Sequence, residues 1–358
     1  MALPSEPIPI MRDTPITPTS LKDGEDCTRY GVMLKATGKD RYDPLHALYG
    51  SAFGAGAAAY ALNPADLPDV RRGRMLVEAS KVWGPMQRLE TKTWPNLIKV
   101  LFAFADTCDK LGLQGLESET RIIVTIVRPN GSYWKIGGAF DLLAKSDAGV
   151  AIHDFKAVST EYMYSWATDP QVMHYTLLQF LRYKSDPWST VMPNHIGHYF
   201  VAVLSGQGDI AFHTRECVPG LWRTLDTHIE RCYKQYEDHN KIAAGGIHAV
   251  PTRFNRCDSK RPCYFIPQCY DDASYTPKDY VDTRTFSKVV HLQYDEAEFN
   301  TCVAELKSIL QLKDQEVKKA ASTQDMLSAM MEQEVDLNSI LTDNTSTVKL
   351  LGDLVDGD

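Results

Sequence analysis

Between Trp94 and Leu111 apolar residues recur at helical spacing, with Leu97, Val100, Leu101 and Phe104 on one stripe, which predicts an amphipathic helix. Beyond it the period falls to two. RIIVTIV, the turn Pro129-Asn130-Gly131, YWKIGGAFDLLAK, the turn Asp147-Ala148-Gly149 and VAIHDFKAV together predict an antiparallel meander. The stretch from Asp169 to Tyr183 returns to a helical pattern. HIGHYFVAVL predicts a strand, and a further alternation runs from Ile210 to Cys217. Leu221, Leu225, Ile229, Cys232 and Tyr236 then form the stripe of a long helix reaching about Asn240. Upstream, Ser20 is a candidate N-cap for a helix ending near Lys35, and the small-residue segment Asp43 to Tyr60 is helical in pattern despite its glycines. Downstream, Phe299, Val303, Leu306 and Leu310 repeat helically, and Met326 to Leu341 predicts a second helix.

Helices interspersed with strands predict a chain of the α/β class with a helical C-terminal extension. Three regions are expected: a proline-rich arm over 1–19, a main domain over 20–270, and an acidic, partly helical tail over 271–358. The arm lacks the basic-then-apolar pattern of a secretory signal, and no apolar run approaches the ~18 residues that span a bilayer. A cytoplasmic location without membrane association is the expectation. The net charge of -8 is unevenly distributed. From Tyr270 onward there are 18 acidic and 8 basic side chains, which leaves residues 1–269 at +2. Overall acidity therefore says little about the main domain, where a basic groove remains compatible with the composition.

Candidate chemistry lies in the meander. Asp141 and Asp154 are equidistant from the Asp147-Ala148 turn, so a regular hairpin sets them nearly opposite each other. Two carboxylates so placed repel unless a cation compensates. Lys156, two residues past Asp154, shares its face, and a Mg²⁺ or Mn²⁺ held by Asp141 and Asp154 would complete the balance. Such a cation activates water and neutralises a phosphodiester's growing charge, while the lysine orients or deprotonates that water. The same spacing also suits an Asp–Lys pair on an exposed sheet face.

Gly138-Ala-Phe-Asp141, Ile152-His-Asp154-Phe-Lys156 and Gln171-Val-Met-His-Tyr175 resemble, in order and in gaps, the motif set of RecB-like PD-(D/E)xK nucleases. The resemblance implies a PD-(D/E)xK restriction-endonuclease-like core, a central mixed sheet flanked by helices, in which Asp141 and Asp154 hold the metal and Lys156 is catalytic. Gln171 and Tyr175 would engage substrate from one helix face. Gln179 and Tyr183 offer a rival match eight residues on. The chain departs from the pattern at Gly50-Ser-Ala-Phe53-Gly54, where the family's metal-binding His is replaced by Gly54. His46 is off register for that role. Glu119, ahead of the meander's first strand core, is a further acidic candidate whose ordinary reading is a solvated charge. The glycine cluster lacks the Gly-Lys-Ser/Thr of a phosphate loop, so helix packing explains it better.

Among eight cysteines, Cys257, Cys263 and Cys269 recur at intervals of six in a loop that suits metal ligation. Cys27 offers the fourth thiolate. Geometry does not choose between zinc and an iron–sulfur cluster. The segment around Ser20 to Tyr30, with one cysteine before the core and three after it, resembles RecB-like nucleases that carry a [4Fe-4S] cluster, such as AddB-type subunits and CRISPR-associated exonucleases. That resemblance favours iron–sulfur. Cys108, Cys217, Cys232 and Cys302 have ordinary readings.

Together these expectations describe a Mg/Mn-dependent deoxyribonuclease, an exonuclease of recombination, repair or replication, acting on DNA with a single-stranded segment or end. Its tail could engage a protein partner. Two other classes fit: a weak or inactive nuclease fold that serves as a DNA-binding or assembly subunit, and a zinc-stabilised interaction protein.

Overall fold

The computed structural model describes residues 14–21, 27, 29, 44–84, 92–147, 149–158, 170–186, 198–204, 210–216, 222–245, 249–250, 286–316, 318–320 and 322. The first compact unit, running to Lys307, opens with three helices: α1 (Pro44–Ala61), α2 (Pro68–Trp83) and α3 (Trp94–Lys110). Three strands follow, β1 (Gln114–Val127), β2 (Tyr133–Ser146) and β3 (Gly149–Val158), and then α4 (Pro170–Ser185). The chain continues through β4 (His198–Leu204), β5 (Ile210–Glu216), α5 (Leu225–Gly245) and β6 (Lys288–Asp295). Residues 296–307 are helical and are called α6. The architecture is α/β, with a mixed sheet flanked by helices.

The expected meander is present, since β1 pairs with β2 and β2 with β3, both antiparallel. The sheet holds six strands in the order β5-β4-β3-β2-β1-β6. Its last member corrects the expected domain boundary. β6 falls inside the stretch expected to be tail, yet it pairs in parallel with β1 from Thr120↔Lys288 to Val127↔Asp295. Its inconspicuous local pattern follows from an edge position, which leaves most of its side chains partly or fully exposed. Asp295 then caps α6: Glu298 N donates to Asp295 Oδ1 at 2.7 Å and Asp295 N donates to Glu298 Oε2 at 3.2 Å, a reciprocal capping box. In the second unit, residues 308–316 are helical. Residues 323–358, including the helix expected from Met326, lie outside the described residues, as does most of the helix expected after Ser20.

One sheet face packs on α1 and α3. Phe155 of β3 makes edge contacts with Phe53 and Phe104, at ring centroid distances of 5.4 and 5.5 Å. Tyr49, Met75, Leu97 and Leu101 extend this core. Burying aromatic and aliphatic side chains of this size contributes roughly 1.5–3 kcal/mol each before entropy is counted. Gly56 is what lets α1 approach its neighbours, because a Cβ there would lie 2.7 Å from Leu101 Cδ2 and 3.1 Å from the Met75 carbonyl oxygen. Helix packing thus accounts for this part of the glycine cluster. Elsewhere in the sheet, Trp134 of β2 contacts Tyr233 of α5 and Phe299 of α6 at 5.7 and 5.6 Å. Among the described residues no helix is long and apolar enough to cross a membrane.

Candidate functional site

The β2–β3 ladder runs from Ser146↔Gly149 to Leu142↔His153. Continued by one step, this register sets Asp141 opposite Asp154, as the symmetric turn predicts. From His153 onward β3 pairs in parallel with β4, beginning at His153↔His198. β3 therefore exchanges partners where its acidic residue stands. Asp141 occupies the opening, and its Oδ2 accepts the Phe155 backbone N–H at 2.7 Å. A side-chain oxygen satisfies an amide beyond the last β2–β3 pair and fixes the carboxylate against the next strand.

Alternation along β3 turns Asp154 and Lys156 away from the Phe155 core and toward α4. Lys156 Nζ lies 2.5 Å from Asp154 Oδ2. It also donates to Gln171 Oε1 at 3.1 Å. Gln171 Nε2 in turn donates to Asp154 Oδ1 at 2.9 Å and to the Tyr175 hydroxyl oxygen at 2.8 Å. One amide thus orients the lysine, the aspartate and the tyrosine together. Gln171 and Tyr175 are brought to the carboxylates, whereas Gln179 is fully buried two turns further along α4. Tyr175 fits because residue 138 is glycine: a Cβ there would lie 2.9 Å from Tyr175 Cε1 and 3.3 Å from Leu178 Cδ1.

Charge in this cluster is set by burial and by its near neighbours. Burial pushes the Asp141 carboxyl up to about 6, against the lowering effect of Lys156 and the Phe155 N–H, with Glu119 pushing it further up. Burial would lower the Lys156 ammonium, but Asp154 and Asp141 outweigh it, so Lys156 stays protonated well above the usual lysine range. The Tyr175 hydroxyl is held neutral by burial and by the two carboxylates. Lys156 is not sealed off, since 21% of its side chain is exposed against 5% for Asp154.

Glu119 is an exposed charge, as expected, and its register also gives it a definite place beside the aspartates. The pairs Ser118↔Leu142 and Thr120↔Phe140 bracket it opposite Asp141, so Glu119, Asp141 and Asp154 form a row across β1, β2 and β3. It is exposed, with a backbone φ of 46°. Among the described residues no other non-glycine has a positive φ. Left-handed backbone in mid-strand costs of order 1–3 kcal/mol and is typical of sites where geometry serves function. On the other side of β3, Gly54 of α1 faces Phe155, with 3.7 Å from its ideal Cβ to Phe155 Cδ2. His46 lies in the first turn of α1.

Of the four candidate cluster thiolates, Cys27 is buried, and Cys257, Cys263 and Cys269 lie outside the described residues. Arg29, two residues from Cys27, donates through Nε to the Val250 carbonyl oxygen at 2.6 Å, which ties the N-terminal segment to the stretch leading toward Cys257. Cys108 and Cys302 are buried, as their ordinary readings require. Cys232 is different. It adjoins His174 and His228 in a buried group that could hold a metal ion. The reading of Cys232 as part of an apolar stripe missed this group. Its only local signal is the four-residue step from His228 to Cys232, because His174 comes from another helix. Burial holds both imidazoles neutral, pushing His174 down to about 3 and His228 down to about 4, with charge repulsion adding to each.

No family model matches the chain, and no curated protein matches it either.

Proposed function

We propose that the chain is a metal-dependent DNA nuclease of the RecB-like PD-(D/E)xK class, most simply an exonuclease of recombination, repair or replication. The observation that carries this reading is the convergence of Asp141, Asp154, Lys156, Gln171 and Tyr175 from β2, β3 and α4. A chance Asp–Lys pair on a solvated strand has no reason to be buried, bridged by a glutamine amide and fitted to a tyrosine by a missing Cβ. The row of carboxylates is an all-oxygen donor set and suits a hard cation such as Mg²⁺ or Mn²⁺. Asp141 and Asp154 would hold it, with Glu119 beside them, and it would supply an activated water and neutralise charge on the phosphate.

The chain's own groups define the remaining chemistry. Lys156, kept protonated by the two aspartates, presents a positive charge at the partly exposed edge of the site. There it can position the attacking water and stabilise a phosphate oxygen. Gln171 fixes that ammonium by accepting its hydrogen bond at Oε1 while donating through Nε2 to Asp154. The Tyr175 hydroxyl stays neutral and extends the polar face along α4, where a DNA strand would lie. We further propose that Cys27, Cys257, Cys263 and Cys269 ligate a [4Fe-4S] cluster, a reading supported by the burial of Cys27 and the Arg29–Val250 contact. Full-length protein purified without oxygen is expected to be brown, to contain iron, and to degrade end-labelled linear DNA when Mn²⁺ is added. Absence of cleavage under all divalent cations would remove the nuclease reading. Zinc in place of iron would remove the cluster reading alone.

A second reading, a weak or inactive nuclease fold that binds DNA, is favoured by Gly54. This residue adjoins Phe155, between the two charged residues of β3, at the position where the family pattern has a metal-binding His. Gly54 is buried, and a Cβ there would meet Phe155 Cδ2 at 3.7 Å, on the core side of β3. Because that face is turned away from Asp154 and Lys156, Gly54→His is expected to leave the Kd for Mn²⁺ unchanged, so the usual ligand is not restored by substitution at this position. Isothermal titration on both proteins checks this, and a clearly tighter Kd for the variant would place residue 54 within reach of the metal.

A further inference from the structure

Behind the carboxylates, three donors of two kinds meet at the junction of α4, α5 and β2. His174 Nδ1 lies 2.9 Å from His228 Nε2. Cys232 Sγ lies 3.7 Å from His228 Nε2 and 4.0 Å from His174 Nδ1. All three residues are buried, and their ligand atoms fall within 4.8 Å of one another. We propose that His174, His228 and Cys232 form a binding site for a borderline-soft divalent cation, with zinc as the best match, which clamps α4 to α5 and β2.

Four observations support this assignment. First, His174 is oriented for it: its Nε2 faces the Gly137 carbonyl at 3.0 Å, so Nε2 carries the proton and Nδ1 directs its lone pair at the other donors. A backbone carbonyl on the far nitrogen is the usual way a ligating imidazole is fixed. Second, His228 and Cys232 are four residues apart on α5, which sets both on one face. Third, the distances suit a tetrahedral ion. With Zn–N of ~2.05 Å and Zn–S of ~2.3 Å, neighbouring ligand atoms stand ~3.3 Å apart for two nitrogens and ~3.6 Å for nitrogen and sulfur. The present separations differ from these by a few tenths of an ångström, so small rotations about the side-chain bonds suffice. Fourth, imidazole and thiolate select zinc over the hard cations suited to the carboxylate row.

The proton balance is simple. In the metal-free form the His228 Nε2–H donates to His174 Nδ1. On loading, the His228 proton moves to its Nδ1, and the Cys232 thiol proton goes to solvent. The cation then meets two lone pairs and one thiolate. Its effect would be positional, because His174 precedes Tyr175 and its carbonyl partner precedes Gly138. The ion would thereby hold α4 in the register that brings Gln171 and Tyr175 to β3. The site stands independently of the nuclease reading.

The test uses the full-length chain and the variants His228→Gln and Cys232→Ser. Each is purified without oxygen, equilibrated with Zn²⁺, dialysed against metal-free buffer and analysed for zinc and iron. Wild type is expected to retain one more zinc per chain than either variant, with equal iron in all three. Equal zinc in all three would overturn the proposal. Should a variant not fold, X-ray absorption at the zinc edge of the wild-type protein decides. Imidazole scattering together with sulfur at ~2.3 Å supports the site, and a shell without nitrogen ligands or without sulfur overturns it.

Discussion

Lys156→Ala is expected to lower Mn²⁺-dependent DNA cleavage by about 10³-fold, within the 10²–10⁴ range typical of a positioned acid–base or charge-stabilising group. The ammonium lies 2.5 Å from Asp154 Oδ2 with 21% of its side chain exposed, so on the proposed nuclease reading its loss would remove transition-state stabilisation at the phosphate. Asp154 retains its hydrogen bond from Gln171, and the divalent cation takes over as counter-charge. The Mn²⁺-loaded variant should therefore keep wild-type far-ultraviolet circular dichroism and bind DNA within a few-fold of wild type. Cleavage measured on end-labelled DNA at saturating Mn²⁺ checks the rate. Undiminished turnover would sink the assigned site.

The largest effect on stability is expected from Glu117→Ala. Glu117 sits just after the register shift in β1 and receives Arg182 of α4 in a bidentate pair at 2.5 and 2.7 Å. Lys288 of β6 adds a third contact at 3.3 Å. Arg182 is nearly inaccessible, with 4% of its side chain exposed, so removing Glu117 strands a buried guanidinium. Breaking such a pair costs about 3–5 kcal/mol when both partners are buried and under about 1 kcal/mol when both are solvated. With Glu117 24% exposed, an intermediate loss of about 2–3 kcal/mol is expected, read from urea denaturation of the two proteins. The pH dependence has a definite sign. Arg182 holds the Glu117 carboxyl below the usual range, so its contribution is present above the unfolded-state value and is lost as pH falls through the folded one. Wild type should thus lose more stability than Glu117→Ala on acidification below about pH 4.3.

The sequence by itself determined the elements whose pattern is local. The α3 stripe maps onto a buried face, with Leu97, Val100, Leu101 and Phe104 inaccessible. The symmetric turn set the register of β2 on β3, and hence the position of Asp141 opposite Asp154 one step beyond the last pair, because hairpin register follows from the turn. The spacing of Gln171 and Tyr175 likewise put both on one side of α4. By contrast α2 escaped, since its pattern is misleading: Arg71 is buried while Val70 and Val77 are about half exposed. Arg71 is accommodated there by Asp109 and by the Tyr60 ring, partners on α3 and α1 that no local window contains.

Only the tertiary structure decided the rest, and in each case the reason is a partner distant in sequence. β6 belongs to the sheet because β1 offers it a free edge more than 150 residues upstream. Glu119 is exposed, and only its register on β2 set it in line with both aspartates. His174 and Cys232 each look ordinary in their own helices, and it is the crossing of α4 and α5 that faces them across His228. Periodicity records which way a side chain points relative to its own axis, and turn chemistry fixes pairing between adjacent strands. Neither carries the long-range contacts that give buried charges and metal-binding groups their partners, because those are selected by the packing of the whole unit.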